Sequence, residues 1–92
     1  MFTTWDPKKA DANLRKHGVE FREAATVFQD PLSTTFPSEN HSASERRFLT
    51  IGTAATSGQS LVVAHTEEEG AIRIISARRA TRQETRFYEE KE

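Results

Sequence analysis

The sequence predicts an α+β fold with two N-terminal helices, a three- to four-stranded antiparallel sheet and a C-terminal helix. Three observations support this prediction. Apolar residues recur with a helical period before residue 30, short strand-like runs separated by turns occupy residues 32 to 77, and a helical period returns after residue 80. The segregation of helices and strands along the chain is typical of the α+β class.

Bulk composition restricts the class of protein. A length of 92 residues predicts one domain, residues 1–92. The absence of cysteine excludes disulfides, thiolate metal sites and cysteine nucleophiles. The N-terminus lacks the basic and apolar regions of a signal peptide, and no apolar stretch approaches the ~20 residues of a membrane span. We therefore expect a cytoplasmic protein that does not enter the membrane.

Two helices are predicted at the N-terminal end. Asp6 and Pro7 suit a helix start, so the first helix covers residues 7–17 and ends at Gly18. A second helix covers residues 20–29. Its apolar face has the spacing i, i+3, i+4, i+7 and consists of Phe21, Ala24, Ala25 and Phe28.

Strands are predicted at residues 32–36, 46–52, 60–66 and 71–77, with a polar loop at 37–45. The last two strands are nearly continuous apolar runs, which is typical of central strands covered on both faces. Short turns between them imply antiparallel pairing. The final helix covers residues 80–90, with Phe87 and Tyr88 as expected core anchors.

Five arginines surround the junction between the last strand and the last helix. They are Arg73, Arg78, Arg79, Arg82 and Arg86, in a chain with a formal net charge of -1. Strict alternation along the strand would place Arg73 and Arg79 on one face and Arg78 on the other. Guanidinium groups bind phosphate bidentately and keep their charge, so this junction is a candidate phosphate-binding site.

Each basic residue also has a simpler interpretation. Arg82 and Arg86 form a stripe that either contacts RNA or is a solvated helix face neutralised by nearby glutamates. Arg73 and Arg79 have apolar neighbours, which favours a function or a specific ion pair. Lys8 and Lys9 lie at the helix end that is unfavourable for cations, and are either RNA contacts or ordinary exposed lysines.

Histidine and glutamate side chains are candidates for proton transfer. His65 ends an apolar strand and either projects from the sheet beside Arg73 or Arg79 as an acid or base, or bonds to the backbone. Glu67 could act as a base if it faced His65. The three histidines, His17, His41 and His65, lack a metal-ligand spacing, so no metal site and no cofactor are predicted.

The chain resembles the BrnT family, the toxins of BrnT-BrnA toxin-antitoxin pairs. The segments that carry the resemblance cover almost the whole chain. They are Trp5-Asp6-Pro7 with Lys8 or Lys9 and Asn13, Lys16-His17-Gly18-Val19 with Phe21 and Glu23-Ala24, Val27-Phe28 with Asp30-Pro31, and Arg73-Ile74-Ile75-Ser76-Ala77-Arg78 with Glu84 and Tyr88-Glu89. The pieces His41-Ser42, Glu45-Arg46 and Ile51-Gly52 resemble the middle of the family.

The resemblance implies a RelE-like fold and a metal-independent endoribonuclease that arrests translation. It also implies a cognate BrnA-type antitoxin with a ribbon-helix-helix DNA-binding part, and operator DNA bound only through that antitoxin. RNA cleavage without metal needs cations at the phosphate and an acceptor for the 2'-hydroxyl proton, which fits the residue types found here.

The resemblance and the residue types together predict the following roles. Arg73 and Arg79 contact the phosphate or the transition state, Arg46 or Arg47 assists, and His65 or Glu67 is the acid or base. RNA-binding candidates are Arg47, Arg78, Arg82, Arg86, Lys8 and Lys9. The alternative is a non-catalytic module that uses the same arginines to bind an acidic protein segment or a nucleic acid.

Overall fold

A computed structural model describes residues 2–38 and 46–90. The elements in chain order are β1 (Phe2–Trp5), α1 (Pro7–His17), α2 (Phe21–Ala25), a 3-10 helix (Thr26–Gln29), β2 (Thr34–Pro37), β3 (Phe48–Thr53), β4 (Ser60–Glu68), β5 (Ala71–Arg79) and α3 (Arg82–Glu90). The α+β class is confirmed. Residues 39–45, which include most of the predicted loop and His41, lie outside the described residues.

The sheet has five strands in the order β1-β5-β4-β3-β2. Three neighbouring pairs are antiparallel, whereas β1 pairs with β5 in parallel. The prediction of three or four antiparallel strands was therefore wrong on two counts, and the fold begins with a strand instead of a helix. The four residues of β1 are too few for a period to be recognised, and their strand conformation depends on pairing with β5.

Helix α1 has the predicted limits because both ends are capped by the expected residues. Asp6 Oδ1 accepts a hydrogen bond from the Lys8 backbone N–H at 2.9 Å, and Pro7 occupies the first turn. Gly18 adopts a left-handed conformation with φ 71°, and its N–H donates to the Leu14 carbonyl.

The second predicted helix is divided in two. Helix α2 ends at Ala25 and the chain continues as the 3-10 helix. Thr26 marks the change: its hydroxyl donates to the Glu23 carbonyl at 2.7 Å and accepts from the Ala55 backbone N–H at 2.9 Å. These bonds fasten the tighter segment to the turn after β3, a contact that helical periodicity could not predict.

The two faces of the sheet are covered by different helices. On the first, here called the α1–α2 face, Leu61, Val63 and Ile74 pack against Phe21, Val27 and other residues of the N-terminal helices. On the second, the α3 face, Ile51 and Val62 pack against Tyr88. Tyr88 is buried as predicted, but Phe87 is 50% exposed and is not a core anchor.

Two residues allow the close packing of the α1–α2 face. Buried Asn13 donates from Nδ2 to the Val19 and Ala77 carbonyls at 3.0 and 2.9 Å, and its Oδ1 accepts from the Ala77 N–H at 3.0 Å. A Cβ at Gly52 would lie 2.9 Å from Val27 Cγ1, so only glycine lets the 3-10 helix approach β3 this closely.

Strands β4 and β5 are longer than predicted and end at Glu68 and Arg79. They are joined by a tight turn in which Glu69 and Gly70 have φ of 50° and 83°. Two consecutive residues at positive φ are typical of a type I' hairpin, which matches the twist of the flanking strands. The charged turn is therefore a structural feature of the hairpin.

Candidate functional site

A bulge in β5 separates the arginines that alternation had placed together. Ala64 pairs with Ser76 and the next residue of β4, His65, pairs with Ile74, so Ile75 is an extra residue in β5. Arg73 is paired with Thr66 and Arg79 with Leu61. These two β4 residues are five positions apart and face opposite sides, so Arg73 and Arg79 do too. The prediction of a shared face was wrong because one inserted residue reverses the alternation.

Arg73 lies on the α3 face at an open part of the sheet. It lines a cleft of about 210 Å³ together with Thr4, Thr66, Glu68 and Glu69. The glutamates place negative charge beside the guanidinium, so the cleft is of mixed charge. Arg73 is exposed, so its charge carries no cost of burial. The expectation of a function or a specific ion pair, which rested on that cost, therefore loses its basis at Arg73.

Arg78 is engaged by a carboxylate of α3. Its Nη1 and Nη2 donate to Glu84 Oε1 and Oε2, both at 2.8 Å, in a bidentate ion pair. The hydrogen bond to Glu84 raises the pKa of Arg78, and the same bond lowers the pKa of Glu84 to about 2. In this structure the pair holds α3 against β5, so an RNA phosphate could bind Arg78 only in competition with Glu84.

Glu84 has a second contact that fixes the start of α3. The Thr81 backbone N–H donates to Glu84 Oε1 at 2.8 Å, and the Glu84 N–H donates to Thr81 Oγ1 at 3.1 Å. This reciprocal pair is a capping box. The spacing Thr-x-x-Glu was visible in the sequence, where it would have predicted both the helix start and the role of Glu84.

The other basic candidates are distributed over the surface. Arg79, Arg82, Arg86, Lys8 and Lys9 are all exposed. Lys8 and Lys9 belong to α1, while Arg82 and Arg86 belong to α3, and these helices pack on opposite faces of the sheet. The structure therefore does not bring the basic residues together as one patch.

His65 is buried on the α1–α2 face and has no exposed surface. Its Nε2 is 2.7 Å from Thr50 Oγ1, and its ring contacts Phe28 edge-on and Phe48 by stacking, at centroid distances of 4.9 and 5.9 Å. The expectation that it projects beside Arg73 or Arg79 was wrong, because the 3-10 helix and Phe48 cover it.

Burial lowers the pKa of His65, and this outweighs the opposing effects of the Glu67 carboxylate and the Thr66 backbone. A lowered pKa keeps the imidazole neutral at pH 7. Its Nδ1 is buried and makes no hydrogen bond of normal geometry with the described residues, and Glu67 Oε2 lies 3.8 Å away. Nδ1 is therefore the ring nitrogen that faces Glu67, while Nε2 contacts Thr50.

Three of the predicted catalytic residues converge around this ring. The Arg46 guanidinium lies over the Phe48 ring at 5.6 Å, Phe48 stacks on His65, and Glu67 faces His65 Nδ1. We call Arg46, Phe48, His65 and Glu67 the His65 cluster. Arg46 is exposed and the Glu67 side chain is 43% exposed, so the cluster offers solvent both a cation and a carboxylate. Arg47 lies next to it and lines a shallow cleft with Pro37 and Ser38.

Two residues near the site carry no signal in the sequence. Thr50 is fully buried, and its hydroxyl oxygen lies 2.6 Å from that of Thr35 as well as 2.7 Å from His65. These residues are 15 positions apart and meet only through strand pairing, which no local pattern predicts.

Among the described residues, no group of three or more His, Asp or Glu side chains is arranged to hold a metal ion.

Asp30, which follows the 3-10 helix, holds α3 in place. Its Oδ2 accepts from the Tyr88 hydroxyl and, at 2.8 Å, from the Thr53 N–H, while Oδ1 accepts from the Leu32 N–H at 3.0 Å. Burial alone would raise the pKa of Asp30, but these hydrogen bonds together lower it below its ordinary value.

Within residues 2–38 and 46–90, no helix is long and apolar enough to cross a membrane.

Comparison with known proteins identifies the class to which this fold belongs. Residues 5–84 match the family described as the ribonuclease toxin, BrnT, of type II toxin-antitoxin systems. The structure is similar to the 1.1 Å crystal structure of the Brucella abortus ribonuclease toxin BrnT, with a TM-score of 0.69 and 26% identity, covering 89% of this chain and 99% of that one. Among curated proteins no match was found.

The match spans most of the chain, and the chain belongs to the BrnT family of ribonuclease toxins. Membership of a type II toxin-antitoxin family implies an RNA substrate and a protein antitoxin as partner.

Proposed function

We propose that this chain is a single-domain, RelE-like, cytoplasmic endoribonuclease, residues 1–92, which arrests translation without a metal ion. A BrnA-type antitoxin with a ribbon-helix-helix part would neutralise it, and the complex would reach operator DNA only through that antitoxin. The observation that carries the proposal is the convergence of Arg46, His65 and Glu67 in a member of a ribonuclease toxin family.

The His65 cluster contains the groups that metal-independent cleavage needs. Glu67 accepts the proton of the 2'-hydroxyl, whose oxygen bonds to the adjacent phosphorus as the bond from phosphorus to the 5'-oxygen breaks. The leaving oxygen takes a proton from water. Arg46 stabilises the negative charge that accumulates on the phosphate oxygens. His65 does not touch RNA in this scheme, because it is fully buried, and it acts through Glu67.

The remaining basic residues bind the flanking RNA. Arg47 is adjacent to the cluster, whereas Arg73 and Arg79 leave the sheet on opposite faces. We propose that these three contact phosphates on either side of the cleaved bond, and that Lys8, Lys9, Arg82 and Arg86 provide long-range attraction that falls with salt. Arg78 contributes least, because Glu84 already binds it.

Cleavage by the purified, antitoxin-free protein in EDTA tests the proposal. Wild-type protein should cut single-stranded RNA, while Glu67→Gln and Arg46→Ala should each lower the rate about 100-fold or more. The matched control is Glu68→Gln, because Glu68 is the adjacent exposed residue and faces the other side of the sheet. An equal loss of cleavage rate in Glu67→Gln and Glu68→Gln would show that Glu67 is not the base.

The same preparation separates the alternative function. A non-catalytic module would bind RNA or an acidic protein segment with salt-sensitive affinity and leave the RNA intact at every enzyme concentration. Co-expression with a BrnA-type ribbon-helix-helix protein tests the partner: the two should co-purify, and the complex should not cut RNA.

A further inference from the structure

A row of polar side chains crosses the core of the α1–α2 face. Thr35 on β2 and Thr50 on β3 are cross-strand partners with their hydroxyl oxygens 2.6 Å apart. Thr50 Oγ1 is then 2.7 Å from His65 Nε2 on β4. Both Thr50 and His65 have no exposed surface, so each polar atom must find its partner inside the protein. The row leads from an edge strand to the His65 cluster.

Electrostatics decides which atom donates at each step. A neutral imidazole carries one N–H, on either Nδ1 or Nε2. Glu67 Oε2 lies 3.8 Å from Nδ1, and a lone pair on Nδ1 directed at this carboxylate would be repelled. This repulsion favours a proton on Nδ1, which makes Nε2 the acceptor. Thr50 must donate its hydroxyl proton to Nε2, so its oxygen is left to accept from Thr35.

We propose that Thr50 is a positioning residue for RNA cleavage: by donating to Nε2 it holds His65 in the Nδ1–H tautomer, which directs an N–H at Glu67 and orients that carboxylate as the base. This inference rests on the proposed function, in which Glu67 takes the 2'-hydroxyl proton. Thr50 itself touches no substrate, and it acts through two intervening side chains.

Apart from the Thr66 backbone, the described surroundings of His65 leave Thr50 as its side-chain hydrogen-bond partner. The 3-10 helix contributes the apolar Phe28, β5 contributes Ile74 as its cross-strand partner, and Phe48 separates it from the Arg46 charge. Glu67 is the charged group that faces it directly. Loss of the Thr50 hydroxyl would leave Nε2 buried beside apolar groups and would weaken the preference for the Nδ1–H tautomer, which would then depend on Glu67 alone.

The ¹⁵N spectrum of the imidazole tests the proposal in the full chain. With His17→Gln and His41→Gln introduced to remove the other imidazoles, the remaining signals belong to His65. The expected spectrum has a protonated Nδ1 and an unprotonated Nε2. Thr50→Val should give a mixture of the two tautomers, lower kcat about tenfold and leave the Kd for uncleavable RNA unchanged. Thr50→Ser keeps the hydroxyl and should restore both properties.

Thr35→Val is the control. It removes a hydroxyl from the same row but leaves Thr50 able to donate, so the tautomer should persist and kcat should stay within about twofold. An Nε2–H tautomer in the parent protein overturns the proposal, as does a Thr50→Val protein with unchanged tautomer and kcat. Should Thr50→Val fail to fold, the tautomer in the parent spectrum still decides it. If the wild type does not cut RNA, the proposed function fails, and the spectrum alone decides the tautomer.

Discussion

Arg73 and Arg79 lie on the same strand but on opposite faces of the sheet, because Ile75 is inserted between the stretches of β5 that pair with β4. Their partners Thr66 and Leu61 are five residues apart, which corresponds to about 16 Å along β4. At this separation, and on opposite faces, the two guanidinium groups cannot bind the same phosphate group. In the proposed function, each arginine therefore contacts a different part of the RNA.

A double-mutant cycle tests this separation. Arg73→Ala and Arg79→Ala should each weaken RNA binding, and the double variant should lose the sum of the two free energies to within about 0.5 kcal/mol, because sites this far apart without shared partners are additive. Binding would be measured with uncleavable RNA at fixed salt. A coupling free energy above about 1 kcal/mol would show that both arginines act on one group.

The ion pair between Arg78 and Glu84 makes stability depend on pH. Glu84→Gln keeps the capping interaction with Thr81 but removes the charge, and it should lower the free energy of unfolding at pH 7 by about 1 kcal/mol. This figure is discounted for solvent screening because the Glu84 side chain is 34% exposed. Urea unfolding would measure it, with Glu89→Gln on the same helix as an exposed control that should change little.

The pH range of this effect follows from the direction of the shift. The pKa of Glu84 falls from its ordinary value of 4.5 to about 2 in the folded protein, mainly through the hydrogen bond to Arg78. The stabilisation is therefore complete above pH 4.5 and is lost as the pH falls towards 2. The difference between wild type and Glu84→Gln should shrink over that interval. A constant difference from neutral pH down to pH 2 would contradict the assignment.

Removal of the Tyr88 hydroxyl should loosen α3 and raise the pKa of Asp30. In wild type, burial raises the pKa of Asp30, but the hydrogen bonds from Tyr88, Thr53 and Leu32 together have a larger, opposite effect. The net pKa is therefore lowered. Tyr88→Phe deletes one of these bonds, so Asp30 should titrate at higher pH and the free energy of unfolding at pH 7 should fall by about 1 kcal/mol. Carboxyl ¹³C NMR measures the first effect and urea unfolding the second. An unchanged Asp30 titration would show that Tyr88 does not bond to it in solution.

Asn13 should be the most sensitive polar residue of α1. Asn13→Ala leaves the Ala77 N–H and carbonyl and the Val19 carbonyl without their side-chain partner, and should lower the free energy of unfolding by about 3 kcal/mol. The control is Asp11→Ala, an exposed position on the same helix, expected to change stability by less than about 0.5 kcal/mol. Equal effects of the two substitutions would argue against a specific clamp.

Local patterns predicted those elements whose signals are contained in neighbouring residues. Helix α1 begins after Asp6 and ends before Gly18 as expected, since both caps act within one helical turn. The division of the second helix at Thr26 was not predictable, because its cause is a bond to Ala55, far along the chain. Strand β1 was missed for the same reason: its pairing with β5 joins distant parts of the sequence.

The candidate site also combines features that the sequence shows with features that only the fold determines. The residue types of Arg46, His65 and Glu67, and the motifs of the BrnT family, are properties of the amino-acid sequence, and by themselves they indicate RNA chemistry. Only the tertiary structure decided that His65 is buried, that Thr50 contacts it, and that Arg73 and Arg79 separate. These outcomes depend on strand register and on one inserted residue. Register is determined by the packing of the whole sheet, so a single bulge redirects every side chain beyond it.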